Sequence, residues 1–406
     1  MTTAEGNMAK LRIIYHHRTA GDGVEGVHIM GMVRAFRALG HTVSICSPPG
    51  CRPESRSGAG APAAGEGREG GLRARLKRFA RRSPPVLFEL AELGYNLYSL
   101  LGLGWQLRRG RPDLIYERAT SNSFAPALVA GCLGIPIVQE VNVTSELGRF
   151  RPLVLSRLTK ALERMVLRRA SLVVTVSEDF KRRLGEAGLS EDHILACPNA
   201  IDPAEFSPDD VKPVRRPPGA FVAGYVGSFL PYHHLETLID VARQLRPEYP
   251  HLTWLLVGDG VERPRVEALL DEHGLRNRFW LAGKVPHEDV PSYVAAMDVA
   301  LLPNSGTFNS PMKLFEYMSM GRAVIAPRVP AIEEVVRHGE TGLLFEPGSA
   351  DSLRGAVELL MRDDGLRLSL GRNARECVLA HHTWTINARR VLEALKDKLK
   401  DRAKLR

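Results

Sequence analysis

At 406 residues the chain is too long for one ordinary core, and two domains of about 150–200 residues are expected. With 44% hydrophobic and 25% charged residues, 37 Gly and 27 Pro, it has globular composition, which excludes wholesale disorder, a collagen-like repeat and a polytopic membrane protein. The net charge of +9 is concentrated: 51–83 carries nine basic and three acidic side chains, 396–406 six and two, and the remainder is nearly neutral. Basic patches without interleaved aromatic platforms argue against nucleic acid and suit an anionic membrane surface.

Residues 1–10 are polar and the run LRIIY from Leu11 is too short for a secretory apolar core, so a cytoplasmic protein is expected. Five cysteines (46, 51, 132, 197 and 377) are scattered and odd in number, which fits a reducing compartment better than a disulfide framework. The chain then alternates short β-rich runs with helix-length gaps. Strands are expected over 11–15, 42–46, 113–116, 135–141 and 172–176, and again over 221–226, 252–257, 279–282, 299–302, 323–326 and 342–345. Apolar strands spaced this way form parallel sheets covered on both faces, so the fold class is α/β with two doubly wound units. The proline-rich stretch 198–218 is the expected hinge between them.

Two segments break the pattern. Residues 47–70 are rich in Gly, Ala, Pro and Ser and read as a loop. Residues 71–83 (GLRARLKRFARRS) are basic and amphipathic and lead into the apolar stretch 86–107, which carries Glu89 and Glu92. Its longest charge-free run has 15 residues, short of the ~18–20 that span a bilayer. Two readings stay open: a helix lying on a membrane surface, or a helical excursion packed on the first domain.

The first strand enters a loop with Gly21, Gly23 and Gly26, followed by a helix expected from about Val27 to Leu39. Such glycines admit a close ligand, and the helix N-terminus favours phosphate. No acidic residue closes the second strand, where Cys46-Ser47-Pro48 stands, so a nicotinamide dinucleotide site is not indicated. In the second half, four strand ends carry the chemistry. They are Gly227-Ser228, Gly258, Gly283-Lys284-Val285, and the run from Asn304 through Asn309 into Ser310-Pro311-Met312-Lys313-Leu314. That edge of an open α/β sheet binds ligands. A helix beginning near Pro311 presents free N–H groups to an anion, Lys313 adds a cation, and Glu316 one turn in can accept two ribose hydroxyls.

On the stretch DVALLPNSGTFNSPMKLFEYMSMGRAVIAP (298–327) the chain resembles the family 4 glycosyltransferases, retaining enzymes of the GT-B fold, and the resemblance runs from Leu11 to the C-terminal helix. It implies two Rossmann-like domains facing a central cleft: 1–200 binding acceptor, 201–380 binding the nucleotide sugar, and 381–406 a helix returning to the first. Glu316 matches the second Glu of the family's Glu-x7-Glu motif, while Phe308 stands at the first; the SPxKLxEYM form is a recurring branch. The family's phosphate-binding Arg and Lys fall on Ser228 and His233, so Lys313 and the helix N-terminus are expected to hold the diphosphate, and Lys284 and Val285 the base. In the first domain, Asn142 occupies the place where a His often touches the sugar, and Arg118 is a candidate for donor phosphate or an acidic acceptor. Gly26 and His28 are expected across the cleft from the diphosphate, although His28 fits a helix-cap contact equally well.

The implied reaction breaks a sugar–phosphate bond with retention, the leaving phosphate taking the acceptor proton. No cofactor beyond the co-substrate is expected. With no Asp-x-Asp motif, and adjacent histidines (16/17, 233/234, 381/382) unlike a ligand set, no metal is expected. A UDP-hexose or UDP-N-acetylhexosamine is the first donor, with GDP- and TDP-sugars open, and a glycan or lipid-linked acceptor suits the basic patches. A small secondary-metabolite acceptor, a GT-B sugar-nucleotide epimerase (with Glu140 the visible acid/base) and an inactive sugar-nucleotide-binding protein are the rivals.

Overall fold

A computed structural model describes residues 9–19, 23–48, 84–145 and 153–404. The loop and basic segment expected over 47–83 therefore lie outside the described residues, except Ser47 and Pro48. Two compact units result: one of Met1–Thr175, Lys181–Cys197 and Asn387–Arg406, the other of Val176–Phe180 and Pro198–Ile386. The first boundary thus falls at 197/198, against 200 expected from sequence, and the C-terminal stretch joins the first unit from Asn387 onward. There Arg390 donates to the Ala196 carbonyl at 2.9 Å.

The first unit holds a parallel sheet of β1 (Arg12–His16), β2 (Thr42–Cys46), β3 (Leu114–Arg118), β4 (Ile137–Val141), β5 (Leu172–Thr175) and β6 (Ile194–Ala196), ordered β2-β1-β3-β4-β5-β6. Five of these strands follow the apolar runs in the sequence. The three-residue β6 does not, because Ile-Leu-Ala between polar neighbours is too short to show a period. Helix formation after β1 also starts earlier than expected, at Gly23, so Gly26 sits in the first turn of the helix Gly23–Ala38 and not in a loop.

The second unit holds β7 (Phe221–Val226), β8 (Leu252–Val257), β9 (Phe279–Gly283), β10 (Val299–Leu301), β11 (Ala323–Pro327) and β12 (Leu343–Phe345), all parallel, ordered β12-β11-β10-β7-β8-β9. Alternate strand residues feed two cores. Val222, Val226, Leu255 and Val257 pack on one face, while Ala223, Tyr225, Trp254 and Leu256 pack on the other. The strand order reverses between β7 and β10 in this unit, and between β1 and β3 in the first. Crevices at such reversals, beyond the carboxyl ends of the strands, are where doubly wound sheets take ligands.

The helix Pro85–Arg108 packs on the first unit with its polar side. Glu89, Asn96, Ser99 and Leu103 are its buried residues. Glu89 accepts the backbone N–H of Val154 (2.7 Å) and Leu155 (2.8 Å), just ahead of the helix Ser156–Arg169. Asn96 Oδ1 accepts those of Phe124 and Ala125, at the start of Ala125–Leu133. One helix thus supplies N-terminal capping groups to two neighbours whose own cap residues provide none. Glu92 pairs with Arg18 at 2.8 Å. No described helix is long and apolar enough to cross a membrane.

Candidate functional site

In the second unit, the edge at the β7/β10 reversal is built on glycines. Gly227 (φ 152°) and Gly258 (φ 136°) end β7 and β8, and a Cβ on Gly258 would overlap the Gly227 carbonyl oxygen. The two turns are laced together, Gly227 donating to the Val257 carbonyl (2.9 Å) and Gly258 to that of Gly283 (2.8 Å). Only residues without side chains allow this approach, which leaves the strand ends open above the sheet.

The helix Met312–Ser319 follows β10 at this edge. Its N-cap is Pro311 and no side chain caps it; the Leu314 amide donates to the Pro311 carbonyl at 3.1 Å, which leaves those of Met312 and Lys313 available to an anion. Tyr317 fixes the helix to the sheet: its hydroxyl accepts the Val226 N–H at 2.7 Å, beyond the point where β10 stops pairing with β7. Lys313 then lies over the end of β7, its Nζ donating to Tyr225 Oη at 2.9 Å and standing 4.2 Å from the ring centre. The Tyr225 hydroxyl in turn donates to the Ser228 carbonyl at 3.0 Å. Burial lowers the Lys313 ammonium to about 7, against a partial counter-effect from Glu316.

Glu316 is 6% exposed, and its carboxylate makes no hydrogen bond among the described residues. Burial raises its carboxyl above the usual range, with His287 and Lys313 opposing. His233 is lowered to about 3 by burial, then by Lys313, and its ring lies edge-on to Tyr225 at 5.7 Å. It is neutral at working pH and adds no cation. Lys284 and Val285 follow β9 on the same edge, Lys284 exposed. Ser310 is buried and tied to Asn199, whose backbone N–H donates to its hydroxyl at 2.9 Å. Asn309 donates its N–H to the Gly306 carbonyl. The Phe308 ring packs at a tilt against that of Phe180, 4.8 Å between centres, and the Phe308 carbonyl accepts from Ser177. The position of the missing first Glu is thus occupied by a packing residue.

The second polar cluster belongs to the first unit, where Arg118 and Glu140 stand opposite each other in the β3–β4 register. Glu140 Oε1 receives Arg118 Nη1 (2.6 Å) and Asn142 Nδ2 (3.0 Å) and lies 2.9 Å from His28 Nε2. Its Oε2 receives the Tyr116 hydroxyl at 2.7 Å. Burial alone would raise this carboxyl, but His28 and Arg118 outweigh it and hold Glu140 well below the usual range. Burial, with the Glu140 charge adding to it, pushes the Tyr15 and Tyr116 hydroxyls up. His28 is therefore a partner of Glu140, and neither Arg118 nor Asn142 projects independently. Beside them Glu117 accepts from Ser123 (2.6 Å) and Gln139 (2.7 Å), with His16 Nδ1 at 3.3 Å.

Lys313, Glu316, Gly227, Ser228, His233 and Gly258 thus gather on the second sheet's edge, and Arg118, Asn142 and His28 around Glu140 in the first unit. Sequence reasoning misses Tyr225 and Tyr317, which set the lysine and the helix; their one signal is an aromatic beside each motif residue.

Comparison with known proteins adds to this geometry. Residues 207–377 match the family model described as "Glycosyl transferases group 1", and 23–205 match "Glycosyltransferase Family 4". The alpha-D-kanosaminyltransferase of Streptomyces kanamyceticus is 26% identical over 84% of this chain and 90% of its own length. The 2-deoxystreptamine glucosyltransferase of the same organism is 29% identical over 67% and 74%. Among solved structures, Anabaena HepE in complex with UDP superposes with a TM-score of 0.69 at 17% identity, over 95% of this chain and 100% of that one.

Proposed function

Because the chain belongs to the group 1 and family 4 glycosyltransferases and has their GT-B fold, we propose that it moves a sugar, with retention, from a nucleotide-diphosphate sugar to an acceptor hydroxyl. The observation that carries the donor reading is Glu316, a nearly buried carboxylate with no hydrogen-bond partner among the described residues, one turn after Lys313 on an uncapped helix. That pairing offers acceptors to a ribose and a cation with free amides to a diphosphate.

Cleavage of the sugar–phosphate bond leaves negative charge on the diphosphate, and Lys313 with the amides at Met312 and Lys313 meets it electrostatically. One such donor is worth roughly 3–4 kcal/mol of barrier. The leaving phosphate oxygen takes the acceptor proton, so no protein base is needed. Glu140, ionised and engaged by four neighbours, is poorly suited to the proton donation an epimerase would require. Its role in this reading is to hold Arg118, Asn142 and His28 in place.

A UDP-hexose or UDP-N-acetylhexosamine is the donor of choice, and HepE's complex with UDP supports that base. A glycan or lipid-linked acceptor, met at the inner face of an anionic membrane through 71–107 and 396–406, is the first reading. A small secondary-metabolite acceptor is the second, favoured by the relative named for 2-deoxystreptamine as its acceptor. The test is a thermal-shift panel of UDP-, GDP-, TDP- and ADP-sugars. A UDP-sugar is expected to raise the melting temperature of the parent, and Glu316→Ala and Lys313→Ala to lose most of that rise. If no sugar nucleotide raises it, the reading fails. Release of UDP only when acceptor is present identifies transfer; donor isomerisation without acceptor identifies an epimerase.

A further inference from the structure

The helix Pro85–Arg108 is built inside out. Its polar residues Glu89, Asn96 and Ser99 are 1–3% exposed, whereas Leu97 is 67%, Leu101 68% and Trp105 47% exposed. Leu87 and Leu90 are also exposed, and Gly94 and Tyr98 complete the stripe. Positions 87, 90, 94, 97, 101 and 105 follow one another at intervals of three and four, so they share one face, opposite the capping face. The inversion has a structural cause: the carboxylate and amide on the inner side are committed to neighbouring helix N-termini, which leaves the leucines outward. A contiguous apolar face of this kind on a soluble surface marks a contact.

We propose that this outer face docks on an anionic lipid surface, with the leucines and Trp105 entering the boundary between headgroups and acyl chains. The proposal deepens the membrane part of the functional reading above and rests on it, but is independent of which sugar is moved. Charge complementarity selects lipid. Six basic and no acidic residues lie at 71–83, immediately before the helix in sequence, and Arg108, Arg109 and Arg111 lie at its other end. Arg109 stacks on the Trp105 ring, its guanidinium carbon 3.4 Å from the centroid. An amphipathic ring beside a cation is suited to the headgroup level. Such a helix lies about 5–10 Å deep without spanning, consistent with the lack of a membrane-crossing helix among the described residues. Each basic residue held near an anionic surface strengthens attachment about fivefold.

The test uses the full chain with vesicles of phosphatidylcholine alone and of phosphatidylcholine with phosphatidylglycerol. Sedimentation with the mixed vesicles is expected, together with quenching of Trp105 by brominated lipid that Trp105→Phe removes. Leu97→Glu/Leu101→Glu is expected to weaken partition roughly tenfold or more, while its melting temperature and its donor-induced thermal shift stay those of the parent. If that variant partitions like the parent while neutralising Arg73, Arg75, Lys77 and Arg78 abolishes binding, the apolar-face proposal is overturned and the electrostatic reading stands. If neither vesicle is bound, both fall. A dimer that the double Leu variant dissolves, without vesicle binding, assigns the face to a second copy and also overturns the proposal. The sugar reading is scored separately by the donor-induced thermal shift.

Discussion

Lys313 is the residue through which the proposed site senses pH. In the free protein its ammonium titrates at about 7, because burial penalises the charge; a bound diphosphate favours the charged form and raises that value. Between about 7 and the bound-state value, binding must therefore take up a proton, and affinity for UDP is expected to fall by up to about tenfold per pH unit. Calorimetric titration in two buffers of different ionisation heat should report uptake approaching one proton above neutrality. Lys313→Ala is expected to remove both the uptake and the slope. The stability sign is opposite: the unfolded lysine keeps its proton up to about 10.5, so in the empty protein this residue costs most below about 7 and the cost fades as pH rises. His233, at the family's other cation position, contributes nothing to this behaviour because burial keeps it neutral. Lys313 and Glu316 were legible from sequence through their spacing beyond Pro311, whereas Tyr225 was not, since contact with a lysine 88 residues away leaves no local trace.

At the scale of elements, the helix Met312–Ser319 works because it is pinned. The Tyr317 hydroxyl takes a β7 amide that the short β10 leaves unpaired. Tyr317→Phe leaves that buried N–H without an acceptor and is expected to cost about 1–3 kcal/mol in denaturant unfolding. It is also expected to raise KM for the donor more than it lowers kcat, since it loosens the platform and removes no charge. The glycine turns at Gly227 and Gly258 were readable as strand endings, and the structure adds that each excludes a side chain on account of the other. The helix Pro85–Arg108 shows the limit of periodicity. Its apolar stripe is visible in the sequence, but a stripe does not say which face the core takes. Glu89 and Glu92 read as charges that weaken a membrane-surface helix and favour a packed one, and in the fold they face inward as a cap and an ion-pair partner.

For the whole molecule, each unit has its own sheet and its own apolar cores, so two calorimetric transitions are expected, with UDP or a UDP-sugar raising only the one that belongs to the second unit. A single transition moved as a whole would show that the units unfold together. Apolar runs at regular spacing determined the α/β class, eleven of the twelve strands among the described residues and the presence of two units, because burial on both faces of a parallel strand writes itself into consecutive residues. The sequence also determined the family through a contiguous motif. Strand order is a matter of long-range pairing, and tertiary structure alone placed the reversals between β1 and β3 and between β7 and β10, at whose ends the polar residues collect. It also decided that Arg118, Asn142 and His28 converge on Glu140, and that a helix rich in leucine presents those leucines outward, because the buried amides of its neighbours required its polar side.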